Sequence, residues 1–216
     1  MKKLFLLFAL IAAAALAGCH GTEEPAGPQV VASIVTFDGT DGSGISTFSY
    51  SDAQGDSVKL YAAWVAPDAK LKAGNRALIY YQANDYGVSA QVQLTAVMPI
   101  PTGKAEIAAA SDIHLGEPLG QARVWRSGNW LNLASVITFS GDAKNIDLLV
   151  EATTLSYPTA EAYIVVGAAP DSRPAAERQL FASWRIDEIF DLHGCEAINV
   201  NYTAPNNELK SILIKK

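Results

Sequence analysis

Cysteine is scarce in this chain, histidine nearly as scarce, and charge thin: two cysteines, three histidines and 18% charged residues in 216. Two cysteines cannot build the disulfide framework of a small exported domain. No Cys-x-x-Cys spacing exists, so a paired-cysteine zinc site is excluded. The chain also lacks a Gly-x-Ser-x-Gly elbow, a His-Glu-x-x-His pair and a glycine-rich phosphate loop. No Lys/Arg-rich stripe is present and the formal net charge is −6, which argues against neutralising the phosphates of a nucleic acid. No window carries a sustained helical stripe, and no internal repeat is visible. Half of the residues are nonetheless hydrophobic, so a packed core is expected rather than disorder.

What is present begins with an address. Met1-Lys2-Lys3 precedes 13 apolar residues, Leu4 to Leu16, and then Ala17-Gly18-Cys19. A charged start, an apolar run and a small-residue cleavage site make a secretory signal. Thirteen apolar residues are too few to span a bilayer, which takes about 20. Leu16-Ala17-Gly18-Cys19 resembles the lipobox of bacterial lipoproteins. That resemblance implies cleavage before Cys19, a diacylglyceryl group on its sulfur and an acyl chain, such as palmitate, on the new amino terminus. Loss of Lys2 and Lys3 with the signal moves the net charge from −6 to −8, so the lipid and not the charge must hold the chain at a membrane.

Lipidation of Cys19 leaves Cys195 without an intrachain partner, and a buried small apolar residue is its expected state. In an extended segment, His193 and Cys195 would share a face, which is the raw material of a thiolate–imidazole pair but supplies no oxyanion site or third group. Asp112 and His114 likewise offer two metal ligands where at least three are needed. No catalytic residue, metal ligand or cofactor site is therefore assigned. A pair of carboxylates meeting only in space, as in a glycan hydrolase, leaves no motif to read.

Residues 20–29 hold two prolines and no apolar periodicity, and read as a tether. From Val30 onward the chain is strand-like. Val58, Leu60, Ala62 and Trp64 alternate with wetter neighbours, and Ala90, Val92, Leu94, Ala96 and Met98 do so more cleanly. A period of two marks half-buried antiparallel strands. Alanine-rich Lys104 to Ser111 is expected to form one short helix, and Ile186 to Leu192 another turn. Prolines and glycines cluster between Pro99 and Gly120, separating five strand candidates from about seven. The expected fold class is all-β: a small OB-like barrel over residues 30–111, then an antiparallel β-sandwich over residues 112–216. Both lie behind a signal peptide (1–18) and a lipidated tether (19–29).

Four aromatic residues stand out as candidate ligand contacts. A two-residue turn at Ser127-Gly128 would set Trp125 opposite Trp130, either as a lid on the sandwich core or as a stacking platform for a sugar. Tyr80 and Tyr86, among Gln82, Asn84 and Asp85, sit where a small barrel turns between strands. Two modification patterns are also present. Asn201-Tyr202-Thr203 matches an N-glycosylation sequon, and Asp56-Ser57-Val58 resembles a short O-glycosylation signal of some Gram-negative anaerobes.

Gly74-Asn75-Arg76-Ala77-Leu78-Ile79-Tyr80-Tyr81, the Val92-Gln93-Leu94 strand and the stretch from Val124-Trp125 to Leu133 resemble the NigD-like family of bacterial lipoproteins. The resemblance implies an OB-type domain followed by a β-sandwich, a place in the outer membrane on its periplasmic side or at the cell surface, and no catalytic residues. With no catalyst visible in the sequence, the expected role is a binding module for an envelope protein or glycan, and the resemblance offers bacteriocin immunity as the alternative.

Overall fold

The computed structural model describes residues 30–64, 71–83, 89–139, 145–167 and 175–216. Its first unit is a closed five-stranded barrel. Strands β1 (Val30–Thr40), β2 (Ile45–Ser51), β3 (Ser57–Ala63), β4 (Arg76–Ala83) and β5 (Ser89–Pro99) close in the order β1-β2-β3-β5-β4. Only β3 and β5 run parallel; β1 returns to pair with β4 from Val30↔Gln82 to Thr36↔Arg76. This is an OB-type barrel. Its interior is filled by alternate residues of every strand, among them Val35, Phe48, Leu60, Ile79, Tyr81 and Val92. Phe37, Phe48 and Trp64 form an aromatic triad there, with ring centroids 5.4–6.4 Å apart.

The second unit is a sandwich of two sheets. Strands β6 (Thr102–Lys104), β8 (Gly120–Ser127), β9 (Trp130–Phe139) and β12 (Ala176–Arg185) form one, in the order β6-β12-β9-β8. The other runs β14-β13-β11-β10-β7, from β7 (Glu106–Ala108), β10 (Ile146–Glu151), β11 (Thr159–Val166), β13 (Ala197–Thr203) and β14 (Leu209–Lys215). Leu131, Leu133, Trp184 and Ile186 meet Leu148, Val150, Ile164 and Ile198 in one shared core. A single helical turn, α1 (Asp187–Phe190), buries Ile189 and Phe190 against it. Gly116 marks a close passage of the chain, since a Cβ there would lie 2.0 Å from the Val166 carbonyl oxygen.

The expected helix at Lys104–Ser111 is not formed. The segment makes β6 and β7 and then a 3-10 turn, Ala110–Asp112. β6 pairs parallel with β12 and β7 with β10, while Ala105 between them is buried in the sandwich core. Each sheet thus gains an edge strand from one short connector. Those ladder bonds and the buried methyl group outweigh alanine's modest helix preference. The same pairing means that residues 102–108 belong to the sandwich sheets, so the change of sheet falls just after β5 and not at residue 112. Residues 191–195 form a turn with Gly194 at φ +85°, so His193 and Cys195 do not share a strand face. Cys195 is buried, and its thiol lies 3.6 Å from the Ala197 carbonyl oxygen.

Candidate functional site

β4 is covered on both faces. Ala77, Ile79 and Tyr81 point into the barrel, while Arg76 and Leu78 point outward and are buried all the same. What covers them is the β8–β9–β12 sheet of the sandwich. Ile34, Leu78 and Ile100 from the barrel side pack with Tyr80, Trp125 and Phe181 in a small apolar cluster at this seam.

Beside that cluster lies Arg76, only 1% exposed. Its Nη1 donates to Thr36 Oγ1 at 2.9 Å, and Nη2 to the Ile34 carbonyl at 3.2 Å and to Asn132 Oδ1 at 2.9 Å. Nε reaches Ser183 Oγ at 3.5 Å, and Ser183 in turn donates to Asn132 Oδ1 at 2.7 Å. One guanidinium thereby ties β1 to β9 and β12. Every one of these acceptors is neutral. Burial pushes the Arg76 pKa down to about 10, far enough above neutrality that the group stays charged. Because Arg76 only donates, Asn132 must turn its oxygen toward it. The Asn132 Nδ2 is left buried with no acceptor among the described residues.

Two openings flank the seam. The first is a cleft of about 250 Å³ lined by Thr36, Ser49, Ser51, Ser57, Arg76 and Trp130, among others. The second is a groove of about 560 Å³, with Ile34, Leu78, Trp125 and Phe181 as its apolar floor and Arg123 and Asp52 as polar members. Ser127 and Ser51 line both and separate them: the Ser51 N–H donates to Ser127 Oγ at 3.1 Å, and that hydroxyl donates to the Ser51 carbonyl at 2.8 Å.

Of the four candidate contacts, Trp125 lines the groove, Trp130 lines the cleft, and Tyr80 packs half-buried in the seam cluster. Tyr86 lies outside the described residues. The hairpin differs from expectation. Its turn is Gly128-Asn129, so Ser127 pairs Trp130 and Trp125 pairs Asn132. The two tryptophans share the barrel-facing side of the sheet without being cross-strand partners, and neither caps the sandwich core. Gly128, at φ +58°, adopts the left-handed conformation that the turn needs and L side chains resist. The Trp130 ring lies beside two guanidinium groups, Arg76 at 5.1 Å and Arg185 at 5.9 Å from its centre, so its face is already engaged. Arg123, exposed at the groove's rim, sits 6.0 Å from the Trp125 ring centre.

Other sequence features fall elsewhere. Asn201 is buried, its amide donating to Glu161 and to the Ala162 carbonyl, which leaves no accessible nitrogen for a glycan. Ser57 is exposed at the cleft. Asp112 and His114 gather no third ligand, and no group of three metal-binding side chains occurs among the described residues.

No family model matches the sequence, and no curated protein matches it either. Solved structures do. A candidate lipoprotein from Bacteroides fragilis superposes with TM-score 0.64 at 16% identity, covering 87% of this chain and 98% of that one. A protein of unknown function from Bacteroides vulgatus gives TM-score 0.65 at 16% identity over 87% and 91%. A NigD-like immunity protein from Bacteroides caccae gives 0.59 at 15% over 86% and 92%. The chain shares their fold. The match runs through both barrel and sandwich, since each comparison covers more than four-fifths of both chains.

Proposed function

We propose that this protein is a lipid-anchored envelope protein that acts by binding a protein or glycan partner, without catalysing a reaction. Acyl chains on Cys19 hold it in the outer membrane, on the periplasmic side or at the cell surface, and residues 20–29 carry the folded units away from the bilayer. The observation that carries the reading is the groove at the seam. It sets an apolar floor, including the half-buried ring of Trp125, beside the exposed guanidinium of Arg123. Aromatic and arginine side chains around a concave apolar floor are the usual materials of a recognition site. Two all-β units knitted by Arg76 supply the stiffness that limits the ordering cost of binding.

The likeness to the Bacteroides caccae immunity protein supports a second reading, in which the partner is a secreted toxin and binding shields the producing cell. Crosslinking on intact cells tests both. Recovery of an envelope protein, a toxin or a glycan conjugate, with the yield falling in Arg123→Glu, is the expected result. A yield indifferent to Arg123→Glu would remove the groove from the proposal. Titration with oligosaccharides, followed by tryptophan emission, separates a glycan partner from a protein one.

A further inference from the structure

The smaller cleft carries a charge that no carboxylate among the described residues balances. Arg76 lines it with neutral hydrogen-bond partners, and burial lowers its pKa with no carboxylate partner among the described residues. A buried cation lacking a counter-ion is costly, and its field is weakly screened along the low-dielectric path to the nearest opening. That opening is this cleft. Thr36 relays the charge: its Oγ1 accepts from Arg76 Nη1 at 2.9 Å, so its hydroxyl hydrogen is turned away from the guanidinium and available to an acceptor in the cleft. Ser51 and Ser57, cross-strand partners, line the wall with Asn129 opposite. Ser49 also lines the cleft, although its hydroxyl donates to Asp38 Oδ1 at 2.9 Å.

We propose that this cleft binds the carboxylate of an acidic sugar, with the Thr36 hydroxyl donating to the carboxylate in the field of Arg76 and the serine hydroxyls receiving the ring's hydroxyl groups. The inference deepens the binding reading above and rests on it, placing an acidic glycan end at a site separate from the groove. Three observations choose the ligand class. One buried cation matches one negative charge, which suits a carboxylate better than a doubly charged phosphate. A lining rich in side-chain hydroxyls offers partners to a polyhydroxylated ring. A volume of about 250 Å³ falls below the ~300–1,000 Å³ of ordinary ligand pockets, so it takes one small group and not a peptide segment.

The test is calorimetric titration of the full lipidated protein, held in detergent micelles, with sodium galacturonate, neutral galactose, inorganic phosphate and a short peptide bearing a free C-terminus. Galacturonate should bind with roughly millimolar affinity, and galactose at least about tenfold more weakly. Arg76 also ties the two units together, so its removal confounds binding with folding. Ser57→Asp avoids this, because Ser57 is exposed and takes no part in the Arg76 hydrogen bonds. That variant, melting like the parent, should weaken galacturonate about tenfold or more through like-charge repulsion. Equal binding of galacturonate and galactose, tighter binding of phosphate or peptide, or indifference to Ser57→Asp would each overturn the proposal. An intact-cell crosslink that depends on Arg123 would survive any of those results, so failure of the sugar site is distinguishable from failure of the binding reading.

Discussion

Ser127 Oγ both accepts from the Ser51 N–H, at 3.1 Å, and donates to the Ser51 carbonyl, at 2.8 Å. The two residues are 76 positions apart and belong to different units, so this pair satisfies the free backbone edge at the end of β2 with a side chain from the sandwich. It also forms the partition between cleft and groove. Ser127→Ala removes both bonds and leaves two backbone groups short of partners. A loss of about 1–3 kcal/mol in urea unfolding is expected. Gly128→Ala should cost at least as much, because a Cβ there would lie 2.7 Å from Ser51 Oγ and the backbone is at φ +58°. Unchanged unfolding midpoints for both variants would show that the seam is held elsewhere.

Arg76→Lys keeps the charge and loses the fork. An ammonium on a flexible stem cannot reach Thr36, the Ile34 carbonyl, Asn132 and Ser183 together, as the planar guanidinium does. Destabilisation of about 2–4 kcal/mol is expected from the acceptors left unserved. Denaturant titration measures it, and a cost below about 1 kcal/mol would mean that the network contributes little to joining the units.

Alkaline pH should weaken the fold through Tyr50. Burial, with Tyr81 and Asp52 acting in the same direction, raises its pKa from the ordinary 10.0 to about 12. An acid whose pKa is raised on folding holds its proton longer in the folded state, so its contribution is complete below pH 10 and is lost as pH climbs toward 12. Tyr163 is raised too, by burial and the carboxylates of Glu151 and Glu161, and adds to the loss. Arg76 acts in the opposite sense, since its lowered pKa favours the folded state as the pH rises past 10. Tyr50→Phe should therefore flatten the decline in unfolding free energy between pH 10 and 12 without removing it. An unaltered slope would contradict the assignment.

Residues with one dry face were readable from the sequence, and residues at the seam were not. Val58, Leu60 and Ala62 alternate with Lys59 and Tyr61, and β3 follows that alternation with its apolar members inside the barrel. β4 hides its environment. Arg76-Ala77-Leu78-Ile79-Tyr80-Tyr81 reads as a fully buried apolar strand interrupted by one charge, and that charge was the available signal for a residue buried against a second unit. Trp125 and Trp130 were visible as unusual, yet a turn placed one residue early paired them with each other, whereas the barrel is what both face. Lys104–Ser111 was misread because its strand character comes from β12 and β10, which lie far away in sequence. Local pattern cannot report a partner that tertiary structure supplies.

Cys19→Ala tests the anchor apart from everything behind it. The signal's apolar run ends at Leu16, and the variant should still be exported but neither lipidated nor cleaved at that position. An uncleaved apolar signal would itself act as a second anchor, so the clean comparison replaces residues 1–19 with an unlipidated secretory signal that is cleaved elsewhere. The sequence behind it is acidic and holds no Lys/Arg-rich stripe for anionic lipid, and one alkyl chain alone gives only marginal membrane binding while two or more hold firmly. The lipidated parent should sediment with membranes and resist high salt, and the replaced form should appear in the soluble fraction with an unchanged thermal midpoint. Sedimentation of that form with membranes in high salt would mean that the folded units bind the envelope directly, and the tether would then be an accessory and not the anchor.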